Sequence, residues 1–432
     1  MTVLPPAEWT RRDDLGRLIA ALGPSNARYV GGAVRDTLLG LAVKDIDIAT
    51  PLEPRETMRR LKAQGIQAVP TGIEHGTVTA VLPLGNVEIT TLRRDVSTDG
   101  RRATVAFATD WHEDAARRDF TINALYADPR SGEIFDYFGG LDDIEARRVR
   151  FIGDARQRIR EDHLRILRYF RFQARFGSQP ADTEAESACG ELAATLKGLS
   201  RERVGMEMMN LLGLPDPAPT LARMAELGVL GVVLPEADVT ALAALVAQEE
   251  QQGVEPDALR RLAALLPADV PMAEAVASRF RLSGAQKKRL AVAAGRASSP
   301  LGEGDHPQDG GGAQAGCPDT EGLRDCAGAP PPPSVVPLPQ GGGMARALAY
   351  RLGREAALDR LLLAGADIGP LQGWDIPVFP LKGGEIVARG VTAGPQVARI
   401  LRAVEARWIA EGFPDEARID ELLRAELAAR QS

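Results

Sequence analysis

Residues 31–50, GGAVRDTLLGLAVKDIDIAT, decide the fold of the N-terminal part of the chain, because a helical run lies there between two β-type runs. A compact hairpin signal follows, with the sequence Pro-Leu-Gly-Asn between two more β-type runs. The patterns predict a strand at 27–30, a helix at 33–39 ended by Gly40, a strand at 44–49, and hairpin strands at 78–82 and 87–91. The N-terminal part is therefore expected to be a small α/β domain.

Beyond about residue 150 the pattern changes, since apolar residues recur at three- and four-residue spacing. That spacing predicts helices. Residues 298–343 interrupt it with a Gly- and Pro-rich stretch that cannot bury enough apolar surface to offset the entropy of ordering, and we predict a disordered insertion there. Helical patterns resume at 344–364 and 394–410, so the expected fold class is α+β, a small-sheet domain followed by an all-helical remainder.

Composition limits the possible classes of protein. With 432 residues, of which 44% are apolar, the chain should form two or more packed units. No stretch approaches the roughly 18 consecutive apolar residues of a membrane helix, and residues 1–14 lack the apolar segment of a secretory signal. We therefore expect a cytoplasmic protein without membrane contact.

Cysteines and net charge exclude two further classes. Cys317 and Cys326 lie in the Gly/Pro-rich stretch and Cys189 stands apart, so neither a disulfide scaffold nor a zinc site is expected. The net charge of −7 argues against indiscriminate nucleic-acid binding, because phosphate contacts come from Lys and Arg. Residues 147–175 are the exception, since they are dense in arginine and predict a local basic patch.

Asp45 and Asp47 are one residue apart on a predicted strand, so their carboxylates should share a face while Ile46 and Ile48 take the other. Two carboxylates so close repel one another unless a cation lies between them, and Mg²⁺ prefers such oxygen ligands. A solvated strand face is the alternative. On the predicted hairpin, Glu88 is a candidate third catalytic carboxylate, with an ordinary exposed strand residue as an equal alternative.

Two arginine-containing segments could bind phosphate. Gly31 and Gly32 at a strand-to-helix turn leave backbone N–H groups free at a positive helix end, to which Arg35 adds charge. Arg118 and Asp119, in the second segment, could hold a triphosphate and hydrogen-bond a ribose hydroxyl. An ordinary tight turn and a surface ion-pair cluster are the alternatives.

Asp162, Arg165 and Arg168 repeat every three residues and should line one face of a helix. A salt bridge on a solvated face is the common explanation of such a pattern. The functional alternative is base recognition, because Asp accepts from the exocyclic amine of C or A while Arg donates to the neighbouring ring acceptor. U and G present a carbonyl in place of that amine, so one protein pair could select both C and A without a nucleic-acid template.

Taken together, the segments resemble class II tRNA nucleotidyltransferases, the CCA-adding enzymes of the polymerase-β superfamily. Residues 91–111 also resemble the flexible loop region of CCA-adding members, and residues 381–401 resemble the tail of some bacterial ones. The matching segments, in chain order, are GGAVRDTLLGLAVKDIDIAT (31–50), RRDFTINALYAD (117–128), DYFGGLDDI (136–144), EDHLRILRYFRFQARF (161–176) and SRERVGME (200–207).

The resemblance implies a role for each matching residue. Asp45 and Asp47 are implied to bind Mg²⁺ as the catalytic pair. The implied nucleotide-binding residues are Gly32 and Arg35 as nucleotide contacts, Arg118 as a holder of the nucleotide, Asp119 near the ribose, Asp162 and Arg165 as base readers, and Arg168 and Arg171 as their support.

The resemblance also implies a domain order and a reaction. The reaction is addition of CCA to the 3′ end of tRNA from CTP and ATP, with a poly(A) polymerase or a CC-only or A-only enzyme as alternatives. A catalytically silent RNA-binding protein would need a broken motif, and a partner-binding role of the insertion is a further alternative; no stable protein partner is expected. The implied domains are a polymerase-β-like head (1–150), a helical neck (151–215), a helical body (216–297), the insertion (298–343) and a helical body and tail (344–432).

Overall fold

The computed structural model describes residues 2–98, 103–295 and 342–429. Most of the predicted insertion, with Cys317 and Cys326, lies outside the described residues, as do residues 99–102 of the DGRR-containing loop. The division into head, neck, body and tail stays a prediction. By contacts the chain forms two compact units, one of Met1–Val246, Pro256–Leu265 and Ala275–Ser283, the other of Ala247–Glu255, Leu266–Glu274 and Gly284–Ser432.

All strands of the described residues lie in the N-terminal part of the first unit. They are β1 (Arg28–Val30), β2 (Ile46–Thr50), β3 (Gln67–Gly72), β4 (Thr77–Val81), β5 (Val87–Thr91), β6 (Arg93–Thr98), β7 (Ala103–Phe107), β8 (Leu125–Ala127) and β9 (Ile134–Asp136). In this part of the chain seven strands form one sheet of order β3-β4-β5-β2-β1-β8-β9, and β6 pairs with β7 in a separate hairpin.

Helices make up most of the rest. Those up to residue 233 are α1 (Asp13–Leu22), α2 (Gly32–Leu38), α3 (Pro54–Ala63), α4 (Trp111–Ala116), α5 (Gly140–Glu145), α6 (Ala155–Glu161), α7 (Arg165–Phe176), α8 (Thr183–Glu191), α9 (Arg201–Leu212), α10 (Ala218–Glu226) and α11 (Val229–Val233). The others are α12 (Thr240–Gln251), α13 (Ala258–Leu265), α14 (Val270–Arg279), α15 (Gly284–Ala294), α16 (Gly342–Leu352), α17 (Arg354–Leu363), α18 (Gly383–Ala388), α19 (Pro395–Ala410) and α20 (Glu416–Ala428). None is long and apolar enough to cross a membrane.

The predicted elements around residues 31–50 are present with small shifts. Strand β2 begins at Ile46 instead of residue 44, so Asp45 directly precedes it. Strand β2 pairs antiparallel with β1 and parallel with β5, which makes it a central strand of the sheet. The hairpin is confirmed, because β4 and β5 pair antiparallel.

The two faces of the sheet have separate cores because side chains alternate along each strand. Ile46 and Ile48 are buried in one core with α1 and α3 residues such as Leu18 and Leu61. Val30, Ala49 and Tyr126 belong to the other core, which also contains Ala115 of α4. Asp47 alternates with Ile46 and Ile48 and therefore lies on this second face.

The second unit has a core of its own. Trp408 of α19 packs edge-on against Tyr350 of α16 and against Phe413, with ring centroids 5.6 and 4.9 Å apart. The Trp408 indole N–H donates to the carbonyl of Pro414 at 2.8 Å. Helix α19 matches the predicted 394–410 pattern closely.

Candidate active site

Three acidic residues, Asp45, Asp47 and Glu88, lie at the second face of the sheet and are called the acidic row here. Asp47 is paired in register with Glu88 of β5 on one side and with Val30 of β1 on the other. Asp45 is exposed at the start of the same strand. Burial raises the pKa of Asp47 to about 6, with Glu88 and Asp45 adding to the rise and Arg118 opposing it. The structure thus brings the three predicted carboxylates together.

Like charges held side by side on a rigid strand make a site suited to a hard cation, since a divalent ion relieves both the repulsion and the desolvation. Asp45 and Asp47 fit Mg²⁺ in this sense. Within the described ranges, no group of three or more His, Cys, Asp or Glu side chains forms a complete metal-ligand set. Participation of Glu88 in metal binding therefore stays a prediction, although it lies beside Asp47.

The glycine turn lies against the acidic row. Gly31 caps helix α2 with φ 68°, a conformation that favours glycine, and its N–H donates to the carbonyl of Leu125 at 3.2 Å. A Cβ on Gly31 would stand 3.4 Å from Nη1 of Arg118. Gly32 opens the helix, as expected for a phosphate-binding turn, but its contact with a nucleotide stays a prediction.

Arg35 has other partners than the nucleotide predicted for it. It is buried, and burial lowers the pKa of its guanidinium. Its Nη1 donates to Oδ1 of Asn123 at 2.5 Å, its Nε donates to Asp36 at 2.8 Å, and the group lies 4.1 Å over the Phe176 ring. These contacts connect α2 to the segment after Arg118 and to α7, so the structure gives Arg35 a supporting position behind the turn.

Arg118 reaches the acidic row from the segment between α4 and β8. Its Nε donates to the Tyr126 hydroxyl at 3.1 Å, and its Nη2 donates to Oδ2 of Asp114 at 3.2 Å. The Tyr126 hydroxyl donates to the same oxygen of Asp114 at 2.7 Å. These contacts leave Nη1 beside Gly31, so Arg118 places a positive charge where nucleotide phosphates would approach.

Asp119 forms an ion pair with Arg168 of α7. Its Oδ2 accepts from Nε and Nη2 of Arg168 at 2.9 and 2.5 Å, and its Oδ1 accepts from Asn123 and from the Phe120 N–H. Burial alone would raise its pKa, but Arg168 and these hydrogen bonds bring the pKa of Asp119 to about 2. A role near the ribose stays a prediction, because this carboxylate has its partners within the protein.

Glu207 of α9 is a second acid, after Asp119, that contacts the arginines of α7. It is buried and accepts from Nε of Arg171 at 2.6 Å, with Arg168 at 3.7 Å. Arg168 thus has two acidic partners, Asp119 and Glu207, and Arg171 has Glu207. Support of the base readers by this pair stays a prediction.

The predicted helix face is wrong at Asp162. Helix α6 ends at Glu161 and α7 begins at Arg165, so Asp162 lies in a break between helices, with extended backbone. Its Oδ1 accepts from the N–H of Leu164 at 3.1 Å, a local turn bond that offers the backbone an alternative to a helical hydrogen bond. Residues 165, 168 and 171 do follow one helix face.

The predicted base readers have separate partners in this structure. Oδ2 of Asp162 accepts from Arg203 of α9 at 2.8 Å, and Nη1 of Arg165 donates to Glu161 at 2.7 Å. Nη2 of Arg165 donates to the carbonyl of Arg117 at 3.2 Å. The break between α6 and α7 is therefore attached directly to the segment that carries Arg118.

Several partners could not be found in the sequence. Arg118 is held by Asp114 and Tyr126. The predicted base readers are held by Glu161 and Arg203, and Arg171 is held by Glu207. Apart from Glu161, each stands outside the spacing patterns considered. The one signal in the sequence is that each lies within or next to a segment carrying the family resemblance.

Comparison with known proteins identifies the family of the chain. The family profile described as poly A polymerase head domain matches residues 27–150, and that of the probable RNA and SrmB-binding site of polymerase A matches residues 182–240. The zebrafish (Danio rerio) mitochondrial CCA tRNA nucleotidyltransferase 1 is 35% identical over 393 residues, 88% of this chain and 83% of the relative. Its mouse (Mus musculus) counterpart is 32% identical over 408 residues, 92% and 85% of the two chains.

A solved structure shows the same architecture. The Bacillus stearothermophilus CCA-adding enzyme in complex with CTP has a TM-score of 0.65 and 25% identity, over 97% of this chain and 98% of that one. The small-sheet head, the acidic strand and the helical remainder define a nucleotidyltransferase of the poly(A) polymerase head type. This chain belongs to the CCA tRNA nucleotidyltransferase family. The predicted α+β fold class is confirmed.

Proposed function

We propose that this chain adds CCA to the 3′ end of tRNA from CTP and ATP, without a nucleic-acid template. The observation that carries the proposal is the acidic row of Asp45, Asp47 and Glu88 beside Arg118, in a chain of this family. The raised pKa of Asp47 shows that its charged form is destabilised by its surroundings, and a bound cation would relieve this.

The reaction is a nucleotidyl transfer. The tRNA 3′ oxygen bonds to the α-phosphorus of CTP or ATP, the α–β phosphoanhydride bond breaks, pyrophosphate leaves with the electron pair, and the hydroxyl proton passes to solvent. Asp45 and Asp47 would hold Mg²⁺, which when bound lowers the pKa of the attacking hydroxyl and neutralises the departing charge. Arg118, whose Nη1 lies beside the Gly31-Gly32 turn, binds and orients the triphosphate.

Base selection is assigned to Asp162 and Arg165. Their hydrogen-bonding groups match the amine and ring acceptor shared by cytosine and adenine. In this structure Arg203 and Glu161 occupy those groups. Entry of a base therefore exchanges two protein ion pairs for hydrogen bonds to the nucleotide, which limits the net gain in binding free energy. Discrimination between bases then depends on the geometry of these hydrogen bonds.

Contacts with tRNA phosphates are assigned to the exposed arginines of the neck. Arg165, Arg168 and Arg171 have acidic partners, so they are poor candidates. Arg160 and Arg201 are exposed in the neck, and Arg147 is exposed at the end of the head. A few such contacts suffice, since recognition of a folded acceptor arm depends on shape more than on sequence.

An incorporation assay tests the proposal. Purified protein is incubated with tRNA lacking CCA and with CTP, ATP or both; two C residues from CTP alone and a full CCA end from the mixture are expected. A tRNA ending in CC should accept one A. Long A tails would identify a poly(A) polymerase, and addition of only C or only A would identify a partial enzyme.

We also expect a cytoplasmic location. The zebrafish and mouse relatives are named mitochondrial, so location does not follow from family membership. Fractionation of the source cells with an antibody to this chain decides it.

A further inference from the structure

Asp114 lies where three parts of the head meet, and the sequence patterns assign it no role. It is on α4, with 2% of its surface exposed. Its Oδ1 accepts the N–H of Arg93, the first residue of β6, at 3.0 Å. Its Oδ2 accepts from the Tyr126 hydroxyl at 2.7 Å and from Nη2 of Arg118 at 3.2 Å. Both oxygens of a buried carboxylate are thus fixed.

These contacts determine the direction of the Arg118 guanidinium. Nη2 is held by Asp114, and Nε is held by the Tyr126 hydroxyl at 3.1 Å. Because the guanidinium is a rigid planar fork, fixing two nitrogens fixes the third. Nη1 is directed to Gly31, 3.4 Å from where a Cβ would stand on that residue.

The sheet register explains why this direction matters. Tyr126 and Asp47 pair with Val30 from opposite sides, so the strands carrying them are about 10 Å apart. Arg118 is anchored at the Tyr126 end and is one of the charges acting on Asp47. Its guanidinium is therefore held at one end of this row of strands, beside Gly31, and within electrostatic range of Asp47.

We propose that Asp114 is a positioning residue for nucleotidyl transfer, which acts by holding Arg118 beside the acidic row, where the triphosphate binds. The proposal rests on the proposed function of the site. Asp114 itself touches no substrate, because its oxygens are occupied by Arg93, Tyr126 and Arg118. Loss of Asp114 should therefore act on triphosphate binding and leave tRNA binding unchanged.

A double-mutant cycle with Arg118 tests this. Asp114→Asn retains an oxygen that can accept from Arg93 but removes the charge that holds Arg118. With tRNA lacking CCA and CTP as substrates, we expect kcat/KM for CTP to fall about 10- to 100-fold, mainly through KM for CTP. We expect the double variant Asp114→Asn/Arg118→Lys to lie within about threefold of Arg118→Lys alone, because both changes remove the same interaction.

Asp110→Asn is the matched control, since Asp110 is an exposed residue that caps the same helix through the His112 N–H at 2.9 Å. It should leave kcat/KM within about twofold, because asparagine caps a helix as well as aspartate does and only the charge is lost. Losses that multiply in the cycle, an equal rise in KM for tRNA, or an Asp110→Asn loss as large as that of Asp114→Asn would overturn the proposal.

Tyr126→Phe keeps the proposal testable if Asp114→Asn does not fold. It removes one hydroxyl, and a loss of about 3- to 10-fold in kcat/KM for CTP is expected, again non-additive with Arg118→Lys. Additive losses in this second cycle would reject the positioning role. Absence of incorporation by the unchanged protein would instead reject the proposed function, so the two failures are distinguishable.

Discussion

Asp47 on strand β2 and Asp119 at the contact with α7 are both withdrawn from water, but their charged neighbours have opposite sign. Burial and the neighbouring Glu88 and Asp45 raise the pKa of Asp47 to about 6. For Asp119, Arg168 outweighs burial and brings the pKa to about 2. The comparison separates a carboxylate whose ionisation destabilises the folded state from one whose ionisation stabilises it.

Replacement of the catalytic carboxylates tests the first half of this comparison and has the largest expected effect. Asp47→Asn or Asp45→Asn should reduce CMP incorporation by about 1,000-fold or more, because the remaining carboxylate cannot hold the cation alone. The assay is single-nucleotide incorporation into tRNA lacking CCA. Asp13→Asn, an exposed position on α1, is the control. Activity within tenfold of the unchanged protein would exclude the strand site.

Asp119→Asn tests the second half. It removes the buried charge that accepts two hydrogen bonds from Arg168 and leaves Glu207, at 3.7 Å, as the remaining acid, so the free energy of unfolding should fall by about 2–4 kcal/mol. The Asp119 contribution is present above its unfolded pKa near 4 and is lost as pH falls toward 2. Urea unfolding between pH 7 and pH 3 measures both effects. Asp162→Asn, at a more exposed ion pair with Arg203, should cost less than about 1 kcal/mol; equal losses would contradict the contrast.

Asp162→Asn should have its main effect on nucleotide choice. Asparagine offers a donor as well as an acceptor, so the ratio of kcat/KM for CTP over UTP should fall about 10- to 100-fold. Steady-state incorporation with each nucleotide measures this ratio. The Arg203→Lys variant is the control, since it changes the partner of Asp162 and keeps the carboxylate. An unchanged ratio in Asp162→Asn would remove Asp162 from base selection.

The smallest expected effect is a gain in stability from Asp47→Asn. The pKa of Asp47 is raised in the folded state, so its ionisation destabilises the fold at pH values above about 6. In EDTA at pH 8 the free energy of unfolding of the variant should exceed that of the unchanged protein by about 1–2 kcal/mol. This difference should fade as pH falls from 6 toward 4. Chemical denaturation along this pH series checks the sign, and a less stable variant at pH 8 would contradict it.

The sequence predicted the strand site because it depends on local alternation. Ile46 and Ile48 are buried on one face, so Asp47 has to lie on the other, whereas the parallel β2–β5 pairing that brings Glu88 beside it is seen only in the structure. The resemblance added the roles of these residues. Local patterns were enough here because a period of two is a property of every strand.

The partners that fix the arginines could not be predicted in the same way. Arg168 is 49 residues from Asp119 and Arg171 is 36 residues from Glu207, and no local period relates such positions. The predicted helix face failed at Asp162 because a spacing of three is the same whether or not the helix is continuous. The turn bond between the Asp162 side chain and the Leu164 N–H is visible only in the coordinates.

The break between α6 and α7 has a consequence for how one pair of side chains serves two sizes of base. On a continuous helix, the backbone positions of Asp162 and Arg165 would be fixed relative to one another. Asp162 instead has extended backbone before the first turn of α7, so a backbone rotation at residues 162–164 would move its carboxylate without unwinding either helix. Cytosine and adenine present the same amine and ring acceptor at different distances from the ribose, and we expect this break to let the two proposed base readers follow that edge.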